Sequence, residues 1–231
     1  FSASWDGFQY FTDCPAFHIS ISHGNHQPYW QGLPPRDSEL NIISKYVETT
    51  KRNNGFLDIG GHIGTMSIPL SKVYKKVYTF EPYRVSYDFL IKNLEINDIK
   101  NVETYNMAVS DSKSSVTMVR HDDHNSGCYQ IKSDIAGLTQ CDSLDNQTFC
   151  SEIDLLKIDV QGKELHVLRG AINLIRTHKP FVMIEVSDEE TDFTCTKDSV
   201  VEFLQKEGYH IYHDNGADIF MCVEEGEDYA R

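Results

Sequence analysis

The stretch Phe56-Leu-Asp-Ile-Gly-Gly-His-Ile-Gly-Thr65 decides the fold of this chain. Its first half is apolar apart from one aspartate, which is typical of a strand buried on both faces of a parallel sheet. Its second half is a run of glycines, and the pattern after it predicts a helix through about Tyr74. Glycines let the backbone turn tightly and approach a ligand, and the first amides of a helix favour an anion. The stretch therefore predicts a ligand site between a buried strand and a helix.

Strands and helices alternate on either side of this stretch. After it, the hydrophobic pattern predicts strands at 76–81, 102–107, 153–160 and 180–185, with helices at 85–97, from 162 onwards and at 199–207. Before it, the pattern predicts a helix at 38–47. Asp214-Asn-Gly216 separates two further strands, 209–212 and 219–223, and is a strong hairpin signal. A weaker alternation predicts another hairpin within 115–131. The order predicts an α/β fold with a doubly wound, mostly parallel seven-stranded sheet, Rossmann-like, with an antiparallel C-terminal hairpin.

Composition limits the domain organisation. The 231 residues fit one domain with an N-terminal extension. Residues 1–37 are rich in aromatics, histidine and proline, including Tyr29 and Trp30, and predict an arm packed on the domain or a lid over its ligand. Residues 38–231 then form the main domain. Because the first residue is not methionine, we expect a domain of a longer polypeptide.

Charge and cysteine usage limit the partners. The formal net charge is −14, which repels phosphate backbones, so nucleic acid is not the expected substrate. No apolar run approaches the length of a membrane span. The six cysteines are scattered without a metal-binding spacing, which predicts free thiols and a cytoplasmic location.

The spacing of the glycines indicates the ligand. Gly60, Gly61 and Gly64 lack the spacing of a dinucleotide site, and Asp58 just before them opposes a pyrophosphate. An aspartate and helix amides instead suit the ammonium and carboxylate of an amino acid. Glu81 ends the second strand, where an acid accepts both hydroxyls of a ribose. S-adenosylmethionine has an amino acid at one end, a nucleoside at the other and a cation between them, and it therefore matches both requirements.

With these residues in place, the sequence resembles the class I methyltransferases and, among them, the FkbM type. The matching motifs cover 56 to about 186, and they are LDIGGHIG at 57–64, TFEP at 79–82, NLEIN at 93–97, NMAVSD at 106–111, DSL at 142–144, LLKIDVQGKE at 155–164 and VLRGA at 167–171. Seven such motifs in the same order are far more specific than one glycine loop. Two residues depart from the family pattern, because His62 replaces the usual Asn and Gln161 replaces the usual Glu.

The resemblance implies a set of cofactor-binding residues in this chain. The methionine end is expected to contact Asp58, Gly60, Gly61, His62, Gly64 and Thr65, and the ribose to contact Glu81. The adenine is expected to lie against Pro82, Tyr83, Met107 and Ala108, and the sulfonium near Asp159.

Two acids at strand ends are candidates for the catalytic base. Asp159 follows the fourth main strand at the topological switch point and is the first candidate, and Glu185 ends the fifth strand and is the second. Lys157 lies on the same face as Asp159 and is predicted to orient Asp159 or Asp142, or to be a buried ion-pair partner. A Mg²⁺ ion held by Asp159, Glu185 and Asp188 is a disfavoured alternative, so no metal ligand is assigned.

The acceptor is expected to be a hydroxyl of a sugar or glycan. The family resemblance implies O-methylation of sugars, and the aromatic arm suits stacking on a sugar ring. The narrowest expectation is a deoxyhexose such as rhamnose or fucose, in a parent protein fused to glycosyltransferase domains. The alternatives are N- or O-methylation of a non-sugar small molecule, and a non-catalytic module that keeps the cofactor fold. The polar loop His121-Asp-Asp-His124 is predicted to be solvated rather than to bind a metal.

Overall fold

A computed structural model describes residues 2–5, 8–11, 37–120, 129–133, 138–186 and 195–224. Its strands are β1 (Ser2–Trp5), β2 (Phe8–Phe11), β3 (Gly55–Ile59), β4 (Lys76–Phe80), β5 (Val102–Tyr105), β6 (Ala108–Val109), β7 (Ser114–Arg120), β8 (Tyr129–Ser133), β9 (Thr139–Asp142), β10 (Leu155–Ile158), β11 (Phe181–Glu185), β12 (Tyr209–Asp214) and β13 (Asp218–Val223). Its helices are α1 (Asp37–Thr50), α2 (Ser67–Leu70), α3 (Arg84–Ile96), α4 (Glu164–Arg169), α5 (Ile172–His178) and α6 (Lys197–Lys206), with a 3₁₀ turn at Leu144–Asn146.

Seven strands form the central sheet, in the order β12-β13-β11-β10-β3-β4-β5. The pairs β11–β10, β10–β3, β3–β4 and β4–β5 are parallel, and β13 is antiparallel to both β11 and β12. The predicted doubly wound sheet with an antiparallel C-terminal hairpin is therefore confirmed. From β3 the chain adds strands towards one side of the sheet, β4 and β5, and from β10 it adds them towards the other side, starting with β11. The gap beyond the carboxyl ends of β3 and β10 is therefore the topological switch point.

Alternate residues of the central strands pack into two separate cores. On one face Phe56 and Leu155 contact α1 and the segment around α2. On the other face Leu57 and Leu156 contact α4, α5 and α6. Because β3 and β10 are covered on both sides, their sequences are nearly continuously apolar. Asp58 and Lys157 are the polar interruptions.

Two helices are shorter than the sequence predicts. The helix after the glycine turn is regular only over α2, and Pro69 inside it has no N–H to continue the backbone ladder. The helix predicted from Gly162 onwards is two helices, α4 and α5. Between them, a Cβ on Gly170 would lie 2.0 Å from the carbonyl oxygen of Ser110, so only glycine fits this close contact. Glycine is also a poor helix former, which explains the break.

Two small sheets flank the central one. The predicted hairpin within 115–131 exists as β7 and β8, which pair antiparallel with Val119 opposite Gln130. The sequence did not predict that β6 and β9 join them in a four-stranded sheet. At the N-terminus β1 and β2 form a hairpin, and Phe8 and Tyr10 are buried against Leu90 of α3. Among the described residues no helix has the length and apolar character needed to cross a membrane.

Candidate active site

The carboxyl edge of the central sheet brings four predicted site residues into one row. The strand registers pair Ile158 with both Ile59 and Ile184, and Ile59 with Phe80. The next residue on each of these strands lies at the sheet edge, and these residues are, in order across the sheet, Glu185, Asp159, Gly60 and Glu81. The row is centred on the switch point, where α/β sheets bind ligands.

The glycine turn packs so tightly on this edge that side chains are excluded. The amides of Gly60 and Gly61 both donate to the carbonyl oxygen of Phe80, at 2.9 and 3.0 Å. Gly60 has a φ of +83°, and a Cβ there would lie 1.8 Å from the carbonyl oxygen of Asp159. A Cβ on Gly61 would lie 2.1 Å from Cγ2 of Thr79. The turn therefore presents bare backbone beside Asp159, which suits close approach of a ligand.

The rest of the turn is also ordered by packing. Gly64 has a φ of +95°, and a Cβ there would lie 2.9 Å from Ile68 and from Leu90. Thr65 is buried, and His62 is half-buried with a φ of +50°. The amides of this turn were predicted to meet the cofactor carboxylate. The His62 amide instead donates to Glu81, at 2.8 Å.

Glu81 is a buried carboxylate whose two oxygens are both held by backbone amides. Its Oε2 accepts from the amide of His62 and its Oε1 from the amide of Tyr83, each at 2.8 Å. Burial raises the pKa of Glu81 to about 7, against the opposing effect of these two amides and of Lys157. Asn106 donates to the carbonyl oxygens of Glu81 and Pro82 and thereby fixes the backbone that carries the acid.

Lys157 is the centre of a buried charge cluster beneath the row. Its Nζ donates to the carbonyl oxygen of Gly60 at 2.7 Å, and lies 3.2 Å from Asp58 and 3.3 Å from Asp159. The contact with Asp58 is an ion pair rather than a hydrogen bond. The predicted link from Lys157 to Asp159 is therefore present. Asp142, the alternative partner, accepts instead from the Ser143 amide.

Asp58 lies in the interior of the protein rather than at the ligand surface. Its side chain is fully buried, and it accepts a hydrogen bond from the hydroxyl of Ser67 in addition to the Lys157 contact. It was predicted to meet the ammonium of the cofactor. In this position its contacts orient Lys157 and the glycine turn from below.

Asp159 is a partly exposed acid of the row. Its side chain is 15% exposed, and its Oδ2 faces Lys157. Its Oδ1 accepts a hydrogen bond from the side-chain amide of Gln161 at 2.8 Å. Glu185 is half-buried on the neighbouring strand. Among the described residues no three His, Cys, Asp or Glu side chains come together as a metal site. Asp188 and the loop 121–124 lie outside those residues.

The remaining predicted residues border the same edge. Pro82, Tyr83 and Met107 are half-buried, and Ala108 is buried at the start of β6. Sequence reasoning assigned no role to Asn106, or to Glu164, which fixes the loop after Asp159. Both residues lie inside the motifs at 106–111 and 155–164, so the motifs were the only available signal.

The comparison with protein families identifies the chain. The model described as "Methyltransferase FkbM domain" matches residues 58–211, about two thirds of the chain. The chain belongs to this FkbM methyltransferase family. It is an S-adenosylmethionine-dependent methyltransferase with a Rossmann-like fold, as the resemblance in the sequence predicted. The bare backbone of the glycine turn and the carboxylate of Glu81 at the sheet edge are compatible with that cofactor.

Individual relatives of this FkbM methyltransferase are distant. Methyltransferase 1 of Beauveria bassiana is 25% identical over 182 residues, which cover 67% of this chain and 72% of the relative. Hexuronic acid methyltransferase AglP of Haloferax volcanii is 23% identical over 151 residues, covering 64% of this chain and 62% of AglP. The crystal structure of methyltransferase FkbM from Methylobacillus flagellatus superposes with a TM-score of 0.51 at 17% identity, covering 74% of this chain and 44% of that one. The last similarity shows the fold alone.

Proposed function

We propose that this FkbM methyltransferase transfers a methyl group to a hydroxyl of a sugar. The observation that carries the proposal is Asp159, a partly exposed carboxylate beside the bare backbone of Gly60 at the switch point. Hydroxyls have high pKa values and gain from a general base, by roughly 10²–10⁴-fold in rate. The distant similarity to AglP, a hexuronic acid methyltransferase, supports a sugar acceptor.

The residues around the turn have distinct roles in holding the cofactor. Glu81 accepts the ribose hydroxyls through the lone pairs that its two amide donors leave free. The glycine turn and the half-buried His62 bind the methionine end, and Pro82, Met107 and Ala108 border the adenine. Asp58 acts indirectly, because its contacts are to Lys157 and Ser67.

Asp159 is the proposed base in the transfer. When bound, S-adenosylmethionine would supply an activated methyl carbon, whose bond to sulfur breaks as the acceptor oxygen bonds to that carbon, leaving S-adenosylhomocysteine. Asp159 accepts the proton of the acceptor hydroxyl as the oxygen–carbon bond forms. Lys157 keeps Asp159 ionised and ready for that proton, because a neighbouring cation favours the charged form of an acid. Glu185 orients the acceptor from the next strand.

The charge at the sheet edge favours a neutral sugar over a uronic acid. Glu81, Asp159 and Glu185 line the edge, and the cation among them, Lys157, is 3% exposed and paired. A substrate carboxylate would be repelled, so we propose a neutral sugar. Within that class, the family resemblance makes a deoxyhexose such as rhamnose or fucose the narrowest proposal.

The N-terminal arm is proposed to extend this acceptor site. Phe8 and Tyr10 of β2 are buried against Ile63, the residue that follows His62 in the glycine turn. Nζ of Lys72 lies 4.0 Å from the centre of the Phe8 ring. Strand β2 therefore lies beside the glycine turn. Tyr29 and Trp30, predicted to stack on the sugar, lie outside the described residues.

Methyl transfer to defined glycosides tests the proposal. The protein is incubated with methyl-labelled S-adenosylmethionine and methyl α-L-rhamnoside, methyl α-L-fucoside or methyl β-D-glucuronide. We expect label in a neutral deoxyhexoside as a methyl ether that survives mild base, whereas a methyl ester on the glucuronide would be hydrolysed. Labelling of the glucuronide alone would contradict the neutral acceptor. Labelling of none, with S-adenosylhomocysteine still bound, would contradict a sugar acceptor.

The base is tested separately with two matched variants. Asp159→Asn should bind S-adenosylhomocysteine with near wild-type affinity in calorimetry and lose about 10²–10⁴-fold in turnover. Glu185→Gln changes an acid on the neighbouring strand and should raise the KM of the acceptor more than it lowers kcat. Full turnover in Asp159→Asn would remove Asp159 from the role.

A further inference from the structure

Both carboxylate oxygens of Asp159 are held by donors from the protein. Oδ2 lies 3.3 Å from Nζ of Lys157, and Oδ1 accepts from Nε2 of Gln161 at 2.8 Å. The Gln161 hydrogen bond to an ionised acceptor is short and strong, and together with the Lys157 ion pair it restricts the rotation of the carboxylate. An acid at position 161 would have no proton to donate and would place a second negative charge beside Asp159.

The backbone at Gln161 adopts a conformation that few residues other than glycine use. Its φ is +57°, and the next residue, Gly162, has a φ of +98°. A non-glycine residue in the left-handed region costs roughly 1–2 kcal/mol. Such strain persists where the surroundings enforce it, and it is frequent at functional sites.

Glu164 enforces this conformation from the start of α4. Its Oε1 accepts hydrogen bonds from the backbone amides of Val160 and Gly162, at 3.2 and 3.1 Å. These two bonds fix the backbone on both sides of Gln161. Its Oε2 accepts from the thiol of Cys195 at 3.2 Å. Glu164 is fully buried, so the loop is anchored in the interior. This anchoring points the Gln161 amide at Asp159.

We propose that Gln161 is a positioning residue that orients the Asp159 carboxylate for proton abstraction. The inference rests on the proposed role of Asp159 as the base. Gln161 stabilises the ionised form of Asp159 and holds one oxygen, which leaves the carboxylate in a single orientation toward the acceptor. In this chain, where Gln161 replaces the glutamate that is usual in the family, the residue therefore contributes to the chemical step and not to holding the cofactor.

Two variants remove the amide donor in different ways. Gln161→Glu keeps the shape and replaces the donor with a charge, and Gln161→Gly removes the side chain while suiting the positive φ. Gln205→Glu makes the same change on the exposed surface of α6 and is the matched control. We expect both variants at 161 to bind S-adenosylhomocysteine within about threefold of wild type and to lower kcat by about tenfold or more.

A readout that needs no acceptor is the titration of Asp159 in the complex with S-adenosylhomocysteine. The carboxyl carbon is followed by nuclear magnetic resonance, with its signal assigned from Asp159→Asn. We expect the midpoint to move to higher pH in both variants at 161, further in Gln161→Glu, and to stay unchanged in Gln205→Glu. An unchanged midpoint in both would overturn the proposal, as would a loss of S-adenosylhomocysteine binding in Gln161→Gly.

A double variant separates this proposal from the role of Asp159. If Gln161 acts through Asp159, Gln161→Gly should cause no further loss of kcat in the Asp159→Asn background. Additive losses would overturn the positioning role even if Asp159 is the base. Full turnover in Asp159→Asn would refute the base and leave the titration result for Gln161 standing.

Discussion

Cofactor binding should release a proton from Glu81. This acid is 6% exposed at the end of β4, and burial raises its pKa to about 7. The backbone amides of Tyr83 and His62 and the charge of Lys157 lower the pKa of Glu81, but by less than its burial away from water raises it. The negative charge of nearby Asp159 raises the pKa further. Half of the molecules without cofactor therefore carry a proton on Glu81 near neutral pH. Ribose hydroxyls that donate to the acid favour its ionised form.

The affinity for the cofactor should accordingly rise with pH. Below pH 7, the Kd for S-adenosylhomocysteine should weaken by up to about tenfold per pH unit, and binding at pH 7 should release about half a proton. Stability changes in the opposite direction. The folded chain holds the proton up to a pH of about 7, whereas the unfolded chain releases it near 4.5. The stability that this acid contributes is complete below pH 4.5 and is lost as the pH rises to 7, by roughly 3 kcal/mol.

Calorimetry measures the proton directly. S-adenosylhomocysteine is titrated into the protein at pH 6, 7 and 8 in two buffers of different ionisation enthalpy, and the difference in heat gives the protons released. In Glu81→Gln the amide NH₂ faces one of the two backbone N–H donors, so affinity should fall by about 10–100-fold and its pH dependence should vanish. Glu103→Gln on β5 changes a half-exposed acid on the neighbouring strand and should behave as wild type. An affinity that is flat from pH 6 to 8, without proton release, would refute the reasoning.

Three further outcomes follow from the contacts at the sheet edge. Gly60→Ala should abolish S-adenosylhomocysteine binding and lower Tm strongly, because the added Cβ would lie 1.8 Å from the carbonyl oxygen of Asp159. The control is Gly208→Ala, where φ is similar and the Cβ meets open space, and it should lower the free energy of unfolding by only roughly 1–2 kcal/mol in denaturant. Lys157→Met should destabilise the protein by roughly 3–5 kcal/mol because Asp58 is left buried without its cation, and Lys157→Met with Asp58→Asn should recover part of that loss. Turnover should persist in EDTA, and restoration by Mg²⁺ after EDTA would instead support the metal alternative.

The sequence predicted the central sheet because its signals are local. The apolar strand at 56–59, the glycines after it and the hairpin signal at Asp214-Asn-Gly216 each determine structure within a few residues. The four-stranded sheet was missed because β6 has two residues, too few for any periodicity. Its partner β9 lies about thirty residues further along the sequence, and no local pattern reveals a pairing between segments so far apart.

The positions of the site residues were predictable and their contacts were not. Strand ends placed Glu81, Asp159 and Glu185 on one edge. The depth of Asp58 below that edge depends on Lys157 and Ser67, which approach from β10 and from α2. A single sequence gives the face on which a side chain lies, but not which of several acids a buried lysine will pair with.

That pairing determines the charge of the edge at which we propose that the cationic cofactor binds. Lys157 lies between Asp58 and Asp159 at nearly equal distances, so its charge is shared between two acids and little remains for Glu81. Burial therefore dominates at Glu81 and its pKa is high, whereas Asp159 keeps its cation. With three carboxylates and one ammonium the cluster has an excess of acid. A sulfonium would compensate that excess and the thioether left after transfer would not, so we expect the charge cluster to favour the reactant cofactor over its product.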